Sequence, residues 1–209
     1  MARRTALFDL HRSLGARMVD FGGWDMPLQY GSQLAEHHAV RRAAGVFDVS
    51  HMGVVDLDGA RVRPFLERLL ANDVGRLRLP GKLLYSCMLN ETGGVIDDLL
   101  ACFRAEDSFR LIVNAGTRDK DLAWIRGLAG EYGVAVTERT DLAILAVQGP
   151  EARARTVALL GPAEAAGALA LPPFFARPIG GWFLSRTGYT GEDGFEVILP
   201  SDQAEGLFR

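Results

Sequence analysis

The sequence predicts an α+β protein built from antiparallel sheets with flanking helices. Three observations support this class. The spacing of apolar residues switches several times between the strand and the helix period. Two pairs of strand-like runs are separated by short turn-forming segments, which is typical of β-hairpins. Of the 209 residues, 48% are apolar and 23% are charged, an ordinary composition for a globular protein.

The first half of the chain contains one of these hairpins. A short strand, "GVVDLDG" (53–59), precedes a helix whose apolar residues are Val62, Phe65, Leu66, Leu69 and Leu70. The hairpin is "LLYSCMLNETGGVIDDLLACF" (83–103), with its turn at "NETGG". A strand, "RLIVNAG" (110–116), then leads to a helix that Thr117 can cap.

The second half continues with strands "VAVTER" (134–139) and "LAILAV" (142–147). Pro150 suits a first helical turn and Gly161 a helix end. The segment 167–181 is the most linker-like part of the chain. The second hairpin joins "WFLSRT" (182–187) to "FEVILP" (195–200) across "GYTGEDG" (188–194), and Ser201 is expected to cap a short last helix.

Charge and composition exclude several classes of protein. The formal net charge of −3 weighs against a nucleic-acid partner, whose binders carry a basic excess. No apolar run is long enough to span a membrane, and no apolar stretch follows the basic N-terminus as in a secretory signal. Two cysteines and four histidines make a disulfide framework or a metal site unexpected. A cytoplasmic protein with free thiols is the expectation.

Two adjacent aspartates, Asp97 and Asp98, interrupt an apolar strand. Neighbouring side chains of a strand point to opposite faces, so both cannot face solvent if one face is core. A hairpin that closes symmetrically about residues 91–92 places Tyr85 opposite Asp98, whereas a β-bulge would shift this register by one residue. A half-buried carboxylate beside an aromatic ring suits amine binding or acid–base chemistry. The alternative is an edge-strand aspartate that caps a turn.

Two further segments allow alternative interpretations. "GYTGEDG" lacks the pattern of a phosphate-binding loop and favours a tight hairpin, although Tyr189 and Glu196 on either side of it could line a pocket. "FDVSHMG" (47–53) brings together Asp48, Ser50 and His51, the residue types of a catalytic triad. Because triad partners seldom lie so close in sequence, a turn before a strand is the favoured interpretation.

Several strings, taken in order, resemble one family. They are "ARMVDFGGWDMPLQY", "VRRAAGVFDVSHMG", "GGVIDDLL", "VNAGTRDKDLAWI", "AVQGP" and "SRTGYTGEDGFE", and together they cover nearly the whole chain. The sequence is similar to the aminomethyltransferases, or T-proteins, of the glycine cleavage system. The resemblance implies interleaved folate-binding subdomains followed by a C-terminal β-barrel, which is absent from these 209 residues.

The resemblance also implies an activity and a site. The expected reaction transfers a one-carbon unit from the aminomethyl-lipoyl arm of the partner H-protein to tetrahydrofolate, releasing ammonia, with tetrahydrofolate as co-substrate and no metal. Asp98 is the implied catalytic carboxylate. The implied folate-binding residues are Met52, Tyr85, Asp98, Ile112, Asn114, Tyr189 and Glu196.

The expected organisation is one incomplete folate-binding region over 1–209, with two interleaved subdomains at about 1–50 with 141–165 and 51–140 with 170–209. We expect the chain to be a fragment or a truncated relative, with a frayed last helix and an exposed "FEVILP" strand. The alternatives are a folate-binding relative without aminomethyl transfer, such as an iron–sulfur-repair protein or a folate-linked demethylase, and an inactive truncated paralogue.

Overall fold

The fold was obtained as a computed structural model that describes residues 2–209. In chain order, its elements are α1 (Phe8–Ser13), β1 (Arg17–Phe21), β2 (Trp24–Gln29), α2 (Gln33–Arg42), β3 (Gly45–Asp48), β4 (Gly53–Asp58), α3 (Val62–Leu69), β5 (Leu83–Leu89), β6 (Val95–Ala105), β7 (Ser108–Val113), α4 (Arg118–Tyr132), β8 (Ala135–Glu138), β9 (Leu142–Gln148), α5 (Ala152–Val157), α6 (Pro162–Leu169), β10 (Ala176–Ile179), β11 (Trp182–Ser185), β12 (Gly194–Pro200) and α7 (Ala204–Phe208). Short 3-10 turns occupy Val74–Arg76 and Ser201–Gln203.

The chain forms two compact units. The first contains the residues up to His51 and Asp141–Arg209, and the second contains Met52–Thr140. Each unit is organised around a five-stranded sheet, in the order β10-β11-β12-β9-β3 in the first and β5-β6-β7-β4-β8 in the second. The strand ladders of both sheets are antiparallel, which confirms the predicted fold class.

The second unit buries one face of its sheet under two helices. Alternate residues of β4 to β7 point to this side and pack against apolar residues of α3 and α4, including Phe65 and Ile125, both fully buried. Because side chains alternate along a strand, the intervening residues lie on the opposite, helix-free face. Asp98 and Ile112 belong to that second set.

The first unit has its own core. It joins residues of β9, β11 and β12 to apolar residues of α1, α6 and α7, with Phe195 and Leu145 fully buried. The strand "FEVILP" lies in this core, so the expectation that it is exposed is wrong: Phe195, Val197, Ile198 and Leu199 are all buried. The reason is that β12 pairs with both β9 and β11 in the interior of the sheet.

The same pairing corrects the expected subdomains. Residues 170–209 belong to the first unit, not to the second, because β12 is hydrogen-bonded to β9 along its whole length. Segment 167–181 is not a linker, since it contains the end of α6 and the strand β10. Gly161 precedes α6 as its N-cap instead of ending a longer helix, and Ser201 begins a 3-10 turn.

Candidate functional site

Asp98 lies on the helix-free face of the second sheet, and its carboxylate is held by two side chains. The Tyr85 hydroxyl donates a hydrogen bond to Asp98 Oδ2. The Asn114 amide nitrogen lies 2.9 Å from Asp98 Oδ1 and 3.1 Å from the Asp98 backbone oxygen. Since both carboxylate oxygens have a donor, the orientation of the Asp98 side chain is fixed. The structure therefore brings together three of the residues that the sequence singles out.

The predicted register between Tyr85 and Asp98 is wrong. Tyr85 lies opposite Leu100, while Asp98 lies opposite Cys87. The hairpin loop centres on Thr92, and a bulge between Met88 and Leu89 shifts the ladder further. Tyr85 still reaches Asp98 because diagonal neighbours on one face of an antiparallel pair are within reach of a long aromatic side chain.

Asp97 points to the opposite side of the sheet, toward the N-terminal end of α4. The Thr117 hydroxyl donates to Asp97 Oδ2, and the Asn114 amide nitrogen lies 3.3 Å from both Asp97 oxygens. Thr117 occupies the N-cap position of α4, but its side chain does not cap the helix. Burial alone would raise the pKa of Asp97, yet the hydrogen bonds, led by that of Thr117, outweigh it and lower the pKa.

Two apolar residues of the predicted site belong to the same unit. Ile112 lies between Leu100 and Val54 on the face that carries Asp98. Met52 is half-buried and immediately precedes β4, where the ladder pairs Gly53 with Val113. One step further along this ladder, Met52 falls beside Asn114. Ile112 and Met52 thus give the surroundings of Asp98 an apolar component.

Glu196 and Tyr189 belong to the first unit. Glu196 is on β12, on the face opposite the core residues Phe195 and Val197. The Thr187 hydroxyl donates to Glu196 Oε2, and burial raises the pKa of the Glu196 carboxyl. Tyr189, in contrast, is fully exposed, with a relative exposure of 103%.

The "GYTGEDG" loop that carries Tyr189 is anchored at several points. Arg186 forms a bidentate pair with Asp193, at 2.9 and 2.7 Å. The buried Gln148 side chain donates to the Thr187 carbonyl at 3.1 Å. A Cβ at Gly188 would lie 1.9 Å from Gln148 Oε1, so only glycine fits here. The loop is therefore longer and better anchored than a tight hairpin turn.

The "FDVSHMG" segment forms no catalytic triad. Asp48 is hydrogen-bonded at 3.0 Å to His11, with both side chains fully buried, and Tyr30 Oη lies 2.7 Å from the other ring nitrogen of His11. The Ser50 backbone N–H donates to Asp48 at 2.9 Å, which confirms the turn interpretation. His51 stacks edge-on against Phe21 instead.

Sequence reasoning missed two buried acids of the second unit. Asp56 forms a bidentate pair with Arg110, at 2.6 and 2.8 Å, and Asp121 is fully buried on α4. A signal for each exists in the sequence. Asp56 interrupts an apolar strand, and Asp121 lies four residues before Ile125, on the apolar stripe of its helix.

Among residues 2–209, no helix is both long and apolar enough to cross a membrane. The described part of the chain also contains no group of three or more His, Cys, Asp or Glu side chains arranged to hold a metal ion.

The fold and the residues around Asp98 define a class: an α+β protein in which the sheet face without helices presents an oriented carboxylate beside aromatic and apolar side chains, suited to a small ligand with amine character. The family model for the GCVT N-terminal domain matches residues 7–209. The chain belongs to this family.

Similar proteins agree with this assignment. The chain is 60% identical over 207 residues to an aminomethyltransferase of Stenotrophomonas maltophilia, covering 97% of this chain and 56% of that protein. It is 61% identical over 214 residues to an aminomethyltransferase of Xanthomonas oryzae pv. oryzae, covering 100% of this chain and 58% of that protein. The chain thus spans little more than half the length of these relatives.

A solved structure supports the same fold. The crystal structure of glycine cleavage system aminomethyltransferase T from Bartonella henselae matches with a TM-score of 0.89 and 36% identity, covering 99% of this chain and 56% of that chain. A heterotetrameric sarcosine oxidase from Corynebacterium sp. matches with a TM-score of 0.56 at 15% identity, a likeness of fold alone.

Proposed function

We propose that this chain supplies the folate-binding and catalytic residues of an aminomethyltransferase of the glycine cleavage system. In this proposal a one-carbon unit passes from the aminomethyl-lipoyl arm of the H-protein to tetrahydrofolate, and ammonia is released. The observation that carries the proposal is the Asp98 carboxylate, which Tyr85 and Asn114 hold in one orientation. The relatives named aminomethyltransferase support the reaction class.

The chemistry of several side chains supports folate as the proposed ligand. A pterin ring is flat and apolar on its faces and carries amine donors on its edge. In the second unit, Ile112 and Met52 give apolar contact close to the Asp98 carboxylate. In the first unit, the Glu196 carboxyl is an acceptor for an amine edge, and Thr187 orients it. We propose folate contacts for each unit by itself: Met52, Tyr85, Asp98, Ile112 and Asn114 in the second, and Tyr189 and Glu196 in the first.

Asp98 is the proposed catalytic residue. Tetrahydrofolate supplies the amine that accepts the one-carbon unit. Loss of ammonia leaves positive charge on the transferred carbon, and a fixed carboxylate stabilises that charge more strongly than mobile water does. An opposite charge about 4 Å away contributes up to about 4 kcal/mol near a protein surface. Tyr85 and Asn114 keep the carboxylate in place, so little reorganisation is needed during the reaction.

The test is turnover with aminomethylated H-protein and tetrahydrofolate, with the longer Stenotrophomonas enzyme as positive control. Asp98→Asn keeps the size of the side chain and one acceptor oxygen but removes its charge. We expect turnover to fall at least about tenfold, which corresponds to roughly 1.4 kcal/mol in the barrier. Asp97→Asn makes the same chemical change on the opposite face and should reduce turnover less.

Equal turnover of Asp98→Asn and the parent chain would reject the catalytic assignment. Donor specificity is measured in the same assay. Folate binding without transfer from H-protein would point to a folate-binding relative of different activity, and transfer from methylated amines would point to a demethylase.

A further inference from the structure

A third carboxyl group, Asp121, lies behind the two aspartates of β6. It is in the first turn of α4 and has no exposed surface. Neither of its oxygens has a hydrogen-bond partner that meets the usual distance and angle within residues 2–209. A buried carboxylate without donors carries a large desolvation penalty, and such groups hold a proton instead.

The groups beside Asp121 show which of them can accept a hydrogen bond from its proton. Asp97 and Thr117 are the polar groups that face it. Thr117 faces Asp121, and its hydroxyl donates to Asp97. Asp97 is an acceptor with Thr117 and Asn114 already bound to it. Of these two groups, the Asp97 carboxylate is the charged acceptor, so a neutral Asp121 donates its proton there most favourably.

Asn114 connects this pair to Asp98. Carboxylates only accept hydrogen bonds, so the Asn114 side chain must present its amide nitrogen, which carries two protons, to Asp97 and Asp98. The nitrogen lies 3.3 Å from the Asp97 oxygens and 2.9 Å from Asp98 Oδ1. One amide group thus spans the edge of the sheet and joins carboxylates from its opposite faces.

We propose that Asp121 is a positioning residue: as a neutral acid it donates a hydrogen bond to Asp97, and the chain Asp121–Asp97–Asn114–Asp98 fixes the carboxylate of Asp98. This inference rests on the proposed function for its catalytic meaning, but the hydrogen-bond chain itself is a property of the unliganded protein.

The proposal implies a change near neutral pH. Burial, followed by the hydrogen bond and charge of Asp97, raises the pKa of Asp121 to about 7, and Thr117 and Lys120 lower it only in part. Above that pH Asp121 becomes a carboxylate facing the carboxylate of Asp97. The two repel each other, Asp97 shifts, and Asn114 no longer holds Asp98 in one orientation.

The direct test is NMR of the folate-free chain labelled with carboxyl-13C aspartate and 15N asparagine, titrated from about pH 4 to 9. We expect one aspartate carboxyl to titrate near pH 7. The Asp98 carboxyl and the Asn114 side-chain amide should shift with the same midpoint. Asp121→Asn, a neutral isostere that still donates to Asp97, should abolish all three transitions. Glu131→Gln, an exposed acid-to-amide change on the same helix, should leave them unchanged.

A near-neutral carboxyl titration that survives in Asp121→Asn, or its absence from the parent chain, would overturn the proposal. So would an Asn114 amide that does not respond to pH. Because these readouts need no substrate, they remain valid if the chain proves to have another activity.

The link to catalysis is tested by the pH dependence of turnover. Asp121→Asn should match the parent chain at pH 6 and exceed it by about fivefold at pH 8.5, the factor that one ordinary hydrogen bond supplies. Parallel pH profiles for the two proteins would show that Asp121 does not act through Asp98. Absence of turnover in both, with the NMR transitions present, would reject the proposed function and leave the hydrogen-bond chain standing.

Discussion

Replacing Asp56 by asparagine should destabilise the second unit strongly, although the change in volume is small. The Asp56 and Arg110 side chains are only 8% and 7% exposed and form two hydrogen bonds, at 2.6 and 2.8 Å. Arg139 adds a third contact at 3.0 Å. Removing one charge of a buried pair typically costs about 3–5 kcal/mol, because the partner guanidinium stays desolvated. Since asparagine retains one acceptor oxygen, we expect about 3 kcal/mol.

Urea unfolding followed by circular dichroism measures the loss, and hydrogen exchange of β4 and β7 locates it. Glu106→Gln is the matched control, since Glu106 pairs with Arg63 at 2.9 Å but is 75% exposed, and surface pairs contribute about 0–1 kcal/mol. A loss below about 1 kcal/mol for Asp56→Asn would refute the reasoning from burial.

The effect of pH gives a second check on the same pair. Burial alone would raise the pKa of Asp56, but the hydrogen bonds and charge of Arg110 outweigh it and lower the pKa below its ordinary value. A carboxyl with a lowered pKa in the folded state stabilises the protein above its unfolded pKa, and this stabilisation is lost as the pH falls. The difference between Asp56→Asn and the parent chain should therefore shrink below about pH 4.

Local sequence patterns predicted most of the secondary structure. The 83–103 hairpin, the helix after Thr117 and the second hairpin are all present. Alternation along β6 also implied that Asp97 and Asp98 face opposite sides, and their hydrogen-bond partners confirm this. These features depend on residues close in sequence, where turn residues and apolar periodicity carry the information.

The predictions that were wrong or missing concern contacts between segments that are distant in sequence. To predict which residue lies opposite Tyr85, the position of the bulge in the hairpin must be known, and apolar periodicity does not encode it. Thr117 has the right residue type for a helix cap, but its hydroxyl is turned toward Asp97 on β6 and donates to it, so it accepts no backbone N–H of α4. Asp121 was missed: the sequence shows it only as an acid on an apolar stripe, and the group it faces, Asp97, is 24 residues away in sequence.

Three further predictions concern the first unit. Glu196→Gln replaces an acceptor by a donor that meets the pterin amine, so calorimetry should show folate binding weakened by about 1–3 kcal/mol, and an unchanged Kd would reject the contact. Gly188→Ala places a Cβ 1.9 Å from Gln148 Oε1, so the 188–194 loop should lose hydrogen-exchange protection while the second unit keeps its own. The last concerns Asp48, whose buried bond to His11 measures 3.0 Å. Burial alone would raise the pKa of Asp48, but the hydrogen bonds from His11 and Ser50 outweigh it and lower the pKa. Asp48→Asn should therefore cost about 1–3 kcal/mol at pH 7, because a fully buried acceptor of charge-assisted hydrogen bonds is lost. The cost should shrink below about pH 4, where the parent carboxylate also begins to be protonated. Urea unfolding at the two pH values measures both quantities, and a cost that stays constant or grows on acidification would show that Asp48 is not held as a carboxylate by His11.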